Sequence, residues 1–321
     1  MPKRVGTLQS RFHHFRMFVV QRTCCLFIYR LKESLTGNYH RNDSSLGDVV
    51  YTRKNAMSLN VLNYTAGGMQ LVLCAFLLVW LVLLMQEGDT SITFNVEEYN
   101  GIRDGLTHGQ VPLTVVVSML IAFTLITGLV HIFAYARAGP SYRTDVRMGN
   151  NWRRWIEYAA TATIMIIVIA LCSGTGSIDT LILLAASTIC CMFCGLMSES
   201  TARSNTYVSM LATGVGWILM IGAFSVILRR FGSIFQQASE TVDGDGIPWY
   251  VWGIIISMTI LYMVFGLIHL VHMRRQWADA NVPEAFHLRI EKLYTIASMV
   301  SKVLLVVFLA SGLFARDQTT D

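Results

Sequence analysis

Residues 287–314 read HLRIEKLYTIASMVSKVLLVVFLASGLF, and within the apolar part of that run one residue, Lys302, does not suit hydrocarbon. The run is long enough to cross a bilayer, which takes about 20 predominantly apolar residues. Six further stretches are comparable, near 58–85, 111–136, 153–173, 179–198, 206–228 and 248–273. The fourth is the most dilute, because Ser187, Thr188 and three cysteines interrupt it. Over the whole chain 54% of residues are hydrophobic and only 14% are charged, too few polar groups to clothe a water-soluble globule. The expected fold is an all-α membrane protein, a bundle of seven transmembrane helices.

Orientation follows from Lys and Arg, which are retained on the cytoplasmic side of membrane proteins. With the amino terminus inside, the inner segments hold 20 Lys plus Arg and the outer segments 4. Without the amino-terminal tail the inner loops still lead by 10 to 4. Of the 20 acidic residues 11 fall outside, among them Glu87, Asp89, Glu97, Glu98 and Asp104 in the first outer loop. A cytoplasmic amino terminus and an external carboxyl terminus are therefore expected.

Three regions are expected: a basic extension over 1–56, a membrane domain over 57–315 and a short outer tail over 316–321. In the extension, Arg and His alternate with Phe12, Phe15, Phe18, Phe27 and Ile28. This suits a surface-lying amphipathic helix, an Arg-rich targeting segment, or a gene start placed upstream of Met57; the residues do not choose. In the loop over 86–110, Ile92, Phe94 and Val96 alternate with polar residues, the period-two pattern of a strand or hairpin. The seven cysteines lie in the tail or inside helices, so no disulfide framework is expected, and Cys191 and Cys194 are assigned no chemistry. No phosphate-binding glycine loop, zinc-spaced ligand set or nucleophile triad is present in the sequence, so neither enzymatic chemistry nor a metal site is expected.

Once every charge in the inner and outer segments is set aside, two remain within the spans: Lys302 and Glu157. A charge near the bilayer centre costs at least about 3 kcal/mol, so it normally faces inward, finds a partner and marks function. Glu157 enters the third span from the inner side, and Lys302 lies deeper along the seventh, which enters from the same side. The pair admits two readings. One is a structural salt bridge or part of a transport path. The other is a desolvated amine that condenses with an aldehyde to a Schiff base, whose protonated form needs a carboxylate beside it.

The stretches WRRWIEY at 152–158 and YTIASMVSK at 294–302 resemble the third and seventh helices of heliorhodopsins. Looser matches are His131, the stretch from Gly195 to Glu199, GVGW ending at Trp217, and the strand-like first outer loop. The family places its amino terminus inside. The resemblance implies all-trans retinal held covalently on Lys302, with Glu157 as counterion and Ser298 beside the Schiff base. It implies Tyr158, Met192, Trp217, Tyr262 and Phe265 as candidates for the retinal wall, and His131 as a candidate proton acceptor. Two departures stand out: Asn63 occupies the position where the family commonly has a histidine, and Gly216 the position of its proline.

The function implied is light sensing by isomerisation of retinal. Light-gated proton conduction through His131, His269 and His272, and a seven-helix transporter or receptor without retinal, are the alternatives. The partners implied are membrane lipid, retinal, a second copy in a homodimer and a signalling or transport protein; no nucleic acid is expected.

Overall fold

The computed structural model describes residues 45–87, 93–99, 106–240, 249–279 and 281–316, with side chains over 58–85, 109–236, 250–279 and 281–311. The readings of the basic extension over 1–44 and of the tail over 317–321 lie outside the described residues.

Apolar segments in lipid must satisfy every backbone N–H and C=O internally, which leaves the helix as the economical solution for each span. In chain order the elements are α1 (Ser45–Glu87), β1 (Thr93–Tyr99), β2 (Leu106–Pro112), α2 (Leu113–Leu129) continued by a π-helical segment (Val130–Arg137), α3 (Pro140–Arg147), α4 (Trp152–Cys172), α5 (Ile178–Thr201), α6 (Thr206–Glu240), α7 (Trp249–Ala278) and α8 (Glu284–Arg316). Seven of the helices are long and apolar enough to cross a membrane: all except the short α3. β1 pairs antiparallel with β2, with Val96 opposite Gly109.

Several helices outlast the apolar windows that announce them. The fifth window closes near residue 228, yet α6 continues through Arg229 and Arg230 to Glu240. The hydrogen-bond ladder has no reason to stop where hydrocarbon does. Arg230 lies at the surface, its Nε donating to the Gly174 carbonyl at 3.0 Å, as expected of a long cationic side chain at a membrane edge.

α8 runs through the middle of the bundle, with 78% of its span window buried, whereas α5 stands on the rim with 17%. α8 packs against α1 and α7, and α5 against α4 and α6. Glycine lets α1 and α2 approach closely: a Cβ on Gly67 would lie 2.7 Å from Ile132, and one on Gly128 would lie 2.8 Å from Leu71. Such small-residue contacts replace the hydrophobic driving force that lipid cannot supply between helices. The turn between α3 and α4 depends on Gly149. Its φ is +73° and an added Cβ would lie 2.6 Å from the His287 ring, so both backbone and space call for glycine there.

Candidate functional site

Lys302 and Glu157 meet. Lys302 Nζ donates to Glu157 Oε1 at 2.9 Å, and the two residues are only 2% and 3% exposed. α4 carries the carboxylate in its second turn, and the central helix α8 brings the amine to it. The second carboxylate oxygen is also taken, because the Tyr135 hydroxyl donates to Glu157 Oε2 at 2.7 Å. Tyr135 sits in the π-helical segment that prolongs α2. π turns inside helices occur frequently at functional sites, where the wider turn re-aims side chains.

His131 and Asn63 stand together beside this pair, with His131 Nδ1 and Asn63 Oδ1 at 3.0 Å. The His131 ring meets the Tyr135 ring edge-on at 5.0 Å. Asn63 Nδ2 in turn donates to the Tyr142 hydroxyl at 3.4 Å, so the residue standing in a histidine's place keeps α1 tied into the polar network.

Next to the lysine opens an elongated cavity with almost wholly apolar walls, the usual character of a small-molecule site. It runs from Ser298, Ser301 and Lys302 on α8 to Cys191, Met192 and Met220 on α5 and α6. Tyr158, Trp217, Tyr262 and Phe265 also line it, so the seven expected wall and tether residues border one space. Glu157 lies behind the amine and Asn63 and His131 further off, none of them on the cavity surface. Tyr158 and Phe265 meet edge to face at 5.5 Å, and the Tyr262 hydroxyl donates to the Ala162 carbonyl at 3.1 Å, which directs the ring into the wall. Two glycines make room for indole rings. A Cβ on Gly266 would come within 2.9 Å of Trp217, and one on Gly195 within 2.2 Å of Trp155. An aldehyde with a long apolar chain fits this donor set: one amine, one carboxylate behind it, and walls of aromatic and thioether groups.

The subtraction that left Lys302 and Glu157 as the only charges within the spans does not hold. Arg154 and Glu291, at the inner ends of their apolar windows, and Glu199, one residue beyond its window, were counted with the inner loops. Instead they lie within α4, α5 and α8, and all three are buried. Arg154 bridges the two carboxylates, one guanidinium nitrogen on Glu199 and another on Glu291. Its guanidinium also stacks over the Tyr294 ring at 3.8 Å. Glu291 further accepts from Asn151 Nδ2 at 2.7 Å and from the Tyr142 hydroxyl at 3.1 Å. Tyr142, on α3 between the spans, has its phenol held well above the ordinary range by burial and by the Glu291 carboxylate. His272 Nδ1 stands 3.4 Å from Glu199, and its Nε2 meets His287 Nδ1 at 3.0 Å.

Sequence reasoning therefore missed Tyr135 and the Arg154 cluster. A signal existed for both: Tyr135 follows His131 by four residues and Arg154 precedes Glu157 by three, spacings that put each on the same helix face as the residue already singled out.

A heliorhodopsin family model matches residues 59–313 of the chain. Among solved structures, the crystal structure of Exiguobacterium sibiricum rhodopsin aligns with a TM-score of 0.51 at 13% identity, covering 78% of this chain and 96% of that one. The crystal structure of a thermophilic rhodopsin aligns with a TM-score of 0.51 at 12% identity, covering 78% and 93% respectively. At those identities the likeness is one of fold. A search of curated proteins found none that matches.

Proposed function

The chain belongs to the heliorhodopsin family and is thus a retinal-binding rhodopsin of the membrane, and from that premise we propose that it is a light sensor whose all-trans retinal is held covalently on Lys302 with Glu157 as counterion. The observation that carries the proposal is the 2.9 Å contact between Lys302 Nζ and Glu157 Oε1 at the edge of an apolar cavity. Bound retinal supplies a light-driven double-bond isomerisation. The remaining work falls to the chain's own groups. Glu157 neutralises the cation that burial would otherwise make prohibitive. Tyr135 fixes the carboxylate from its other side. Tyr158, Trp217, Tyr262, Phe265, Met192 and Ser298 bound the space and exclude water. His131 with Asn63 offers a polar site beside the pair, its ring edge-on to that of Tyr135, suited to receive a proton displaced from the pair.

A sensing role is favoured over pumping because the other two buried carboxylates among the described residues, Glu199 and Glu291, are both tied to Arg154, and a carboxylate held in an ion pair is a poor proton carrier. We further propose that the amino terminus is cytoplasmic, on the loop charges given above.

Expressed protein supplied with all-trans retinal should develop a visible absorption band. Lys302→Ala should abolish the band, and Glu157→Gln should move it to the red or remove its protonated form. A wild-type protein that stays colourless would overturn the retinal linkage. Voltage-clamp recording under illumination separates sensing from conduction, since a sustained photocurrent would overturn the sensor reading in favour of a light-gated proton path.

A further inference from the structure

At the α5–α6 end of the cavity lies a second, much smaller chamber, with room for about one water-sized group. It borders Cys191, Met192, Met220 and Tyr262, which also border the first, so the two spaces share these side chains as a common wall. Two of them are methionines, unbranched and adaptable in shape, the side chains best suited to yield to a ligand that spans both spaces.

The wall of the second chamber holds two hydroxyls, Ser187 and Thr188, both on α5. Thr188 is buried and donates to the Leu184 carbonyl at 2.8 Å. Ser187 donates across to the Leu219 carbonyl of α6 at 3.4 Å. With both protons committed to backbone carbonyls, each oxygen still offers an acceptor lone pair. The chamber therefore suits a ligand that brings a donor. A carbonyl in the same position would meet no free donor, and a purely apolar group would leave the lone pairs unused.

An elongated ligand fixed at Lys302 on α8 has its free end at α5 and α6, against the dividing side chains. We propose that the second chamber is a subsite for a hydroxyl on that free end, so that the chain selects retinal hydroxylated on its ring over unsubstituted retinal. The inference rests on the retinal reading of Lys302 and goes beyond it by naming the chromophore class. A neutral hydrogen bond made in place of one to water has a modest net worth, so the expected preference is about three- to tenfold.

The test supplies the full-length protein in membranes with an equimolar mixture of all-trans retinal and all-trans 3-hydroxyretinal. The bound chromophore is then released with hydroxylamine and its composition measured. Wild type should be enriched about three- to tenfold in the hydroxylated form, and Ser187→Ala with Thr188→Val, which keeps the Thr188 shape, should return the ratio to that of the mixture. Equal uptake by wild type, or enrichment that survives in the double variant, overturns the subsite while leaving retinal binding standing. Failure to take up either compound overturns the retinal reading and the subsite together.

Discussion

At the scale of single residues, the network around Glu157 makes opposite demands that spectroscopy can separate. Tyr135 withdraws charge from Glu157 Oε2 through its 2.7 Å hydrogen bond. Tyr135→Phe should concentrate that charge near Lys302 and move the visible band to the blue, opposite in sign to Glu157→Gln; an unmoved band would mean that Tyr135 does not act on the counterion. Arg154 offers a test of stability. Removing one partner of a buried ion pair costs about 3–5 kcal/mol because the other is left charged and dry, and Arg154→Met strands two carboxylates. It should lower the thermal unfolding temperature sharply, and adding Glu199→Gln and Glu291→Gln should recover part of the loss. If the triple variant is no more stable than the single one, stranded charge is not the cause. Lys302 was legible in the sequence because predominantly apolar residues flank it on both sides, and Glu157 because a long apolar run follows it. Arg154, Glu199 and Glu291 were not, because each lies where apolarity fades, and there a buried charge and a solvated one look alike in one dimension.

At the scale of elements, α5 illustrates how a weak crossing is held. Its helix is interrupted by Ser187, Thr188 and cysteines, yet Gly195 lets Trp155 of α4 lie directly against its backbone. Gly195→Ala would place a methyl 2.2 Å from that ring, and overpacking of this kind costs about 1–3 kcal/mol. The expected outcomes are a lower unfolding temperature and a changed tryptophan emission, because Trp155 borders the cavity and must tilt; unchanged emission and stability would refute the contact. Existence and order of the seven spans could be read from the sequence, since length and apolarity decide them. The π-helical segment over Val130–Arg137 could not: nothing in VHIFAYAR departs from an ordinary helical pattern, and the segment packs against α1 and α3, contacts that the sequence does not announce.

At the scale of the whole molecule, the proposed orientation sets which loops face the cytoplasm. Ser204, exposed in the α5–α6 connection, and Asp179, exposed at the start of α5, fall on opposite sides. A membrane-impermeant thiol reagent applied to intact cells should label Asp179→Cys above the parent and leave Ser204→Cys at the parent level; the reverse pattern would invert the topology. The count of basic residues carries this expectation without help from Arg154, whose removal still leaves the inner loops ahead by 9 to 4.

α8 carries His287, Glu291 and Lys302 on one continuous helix with no glycine or proline between them. Eleven residues from Glu291 to Lys302 make about 16 Å of uninterrupted rod at 1.5 Å per residue. A push delivered at the amine is therefore not absorbed along α8 but arrives, like force at the far end of a crowbar, at the arginine clamp around Glu291.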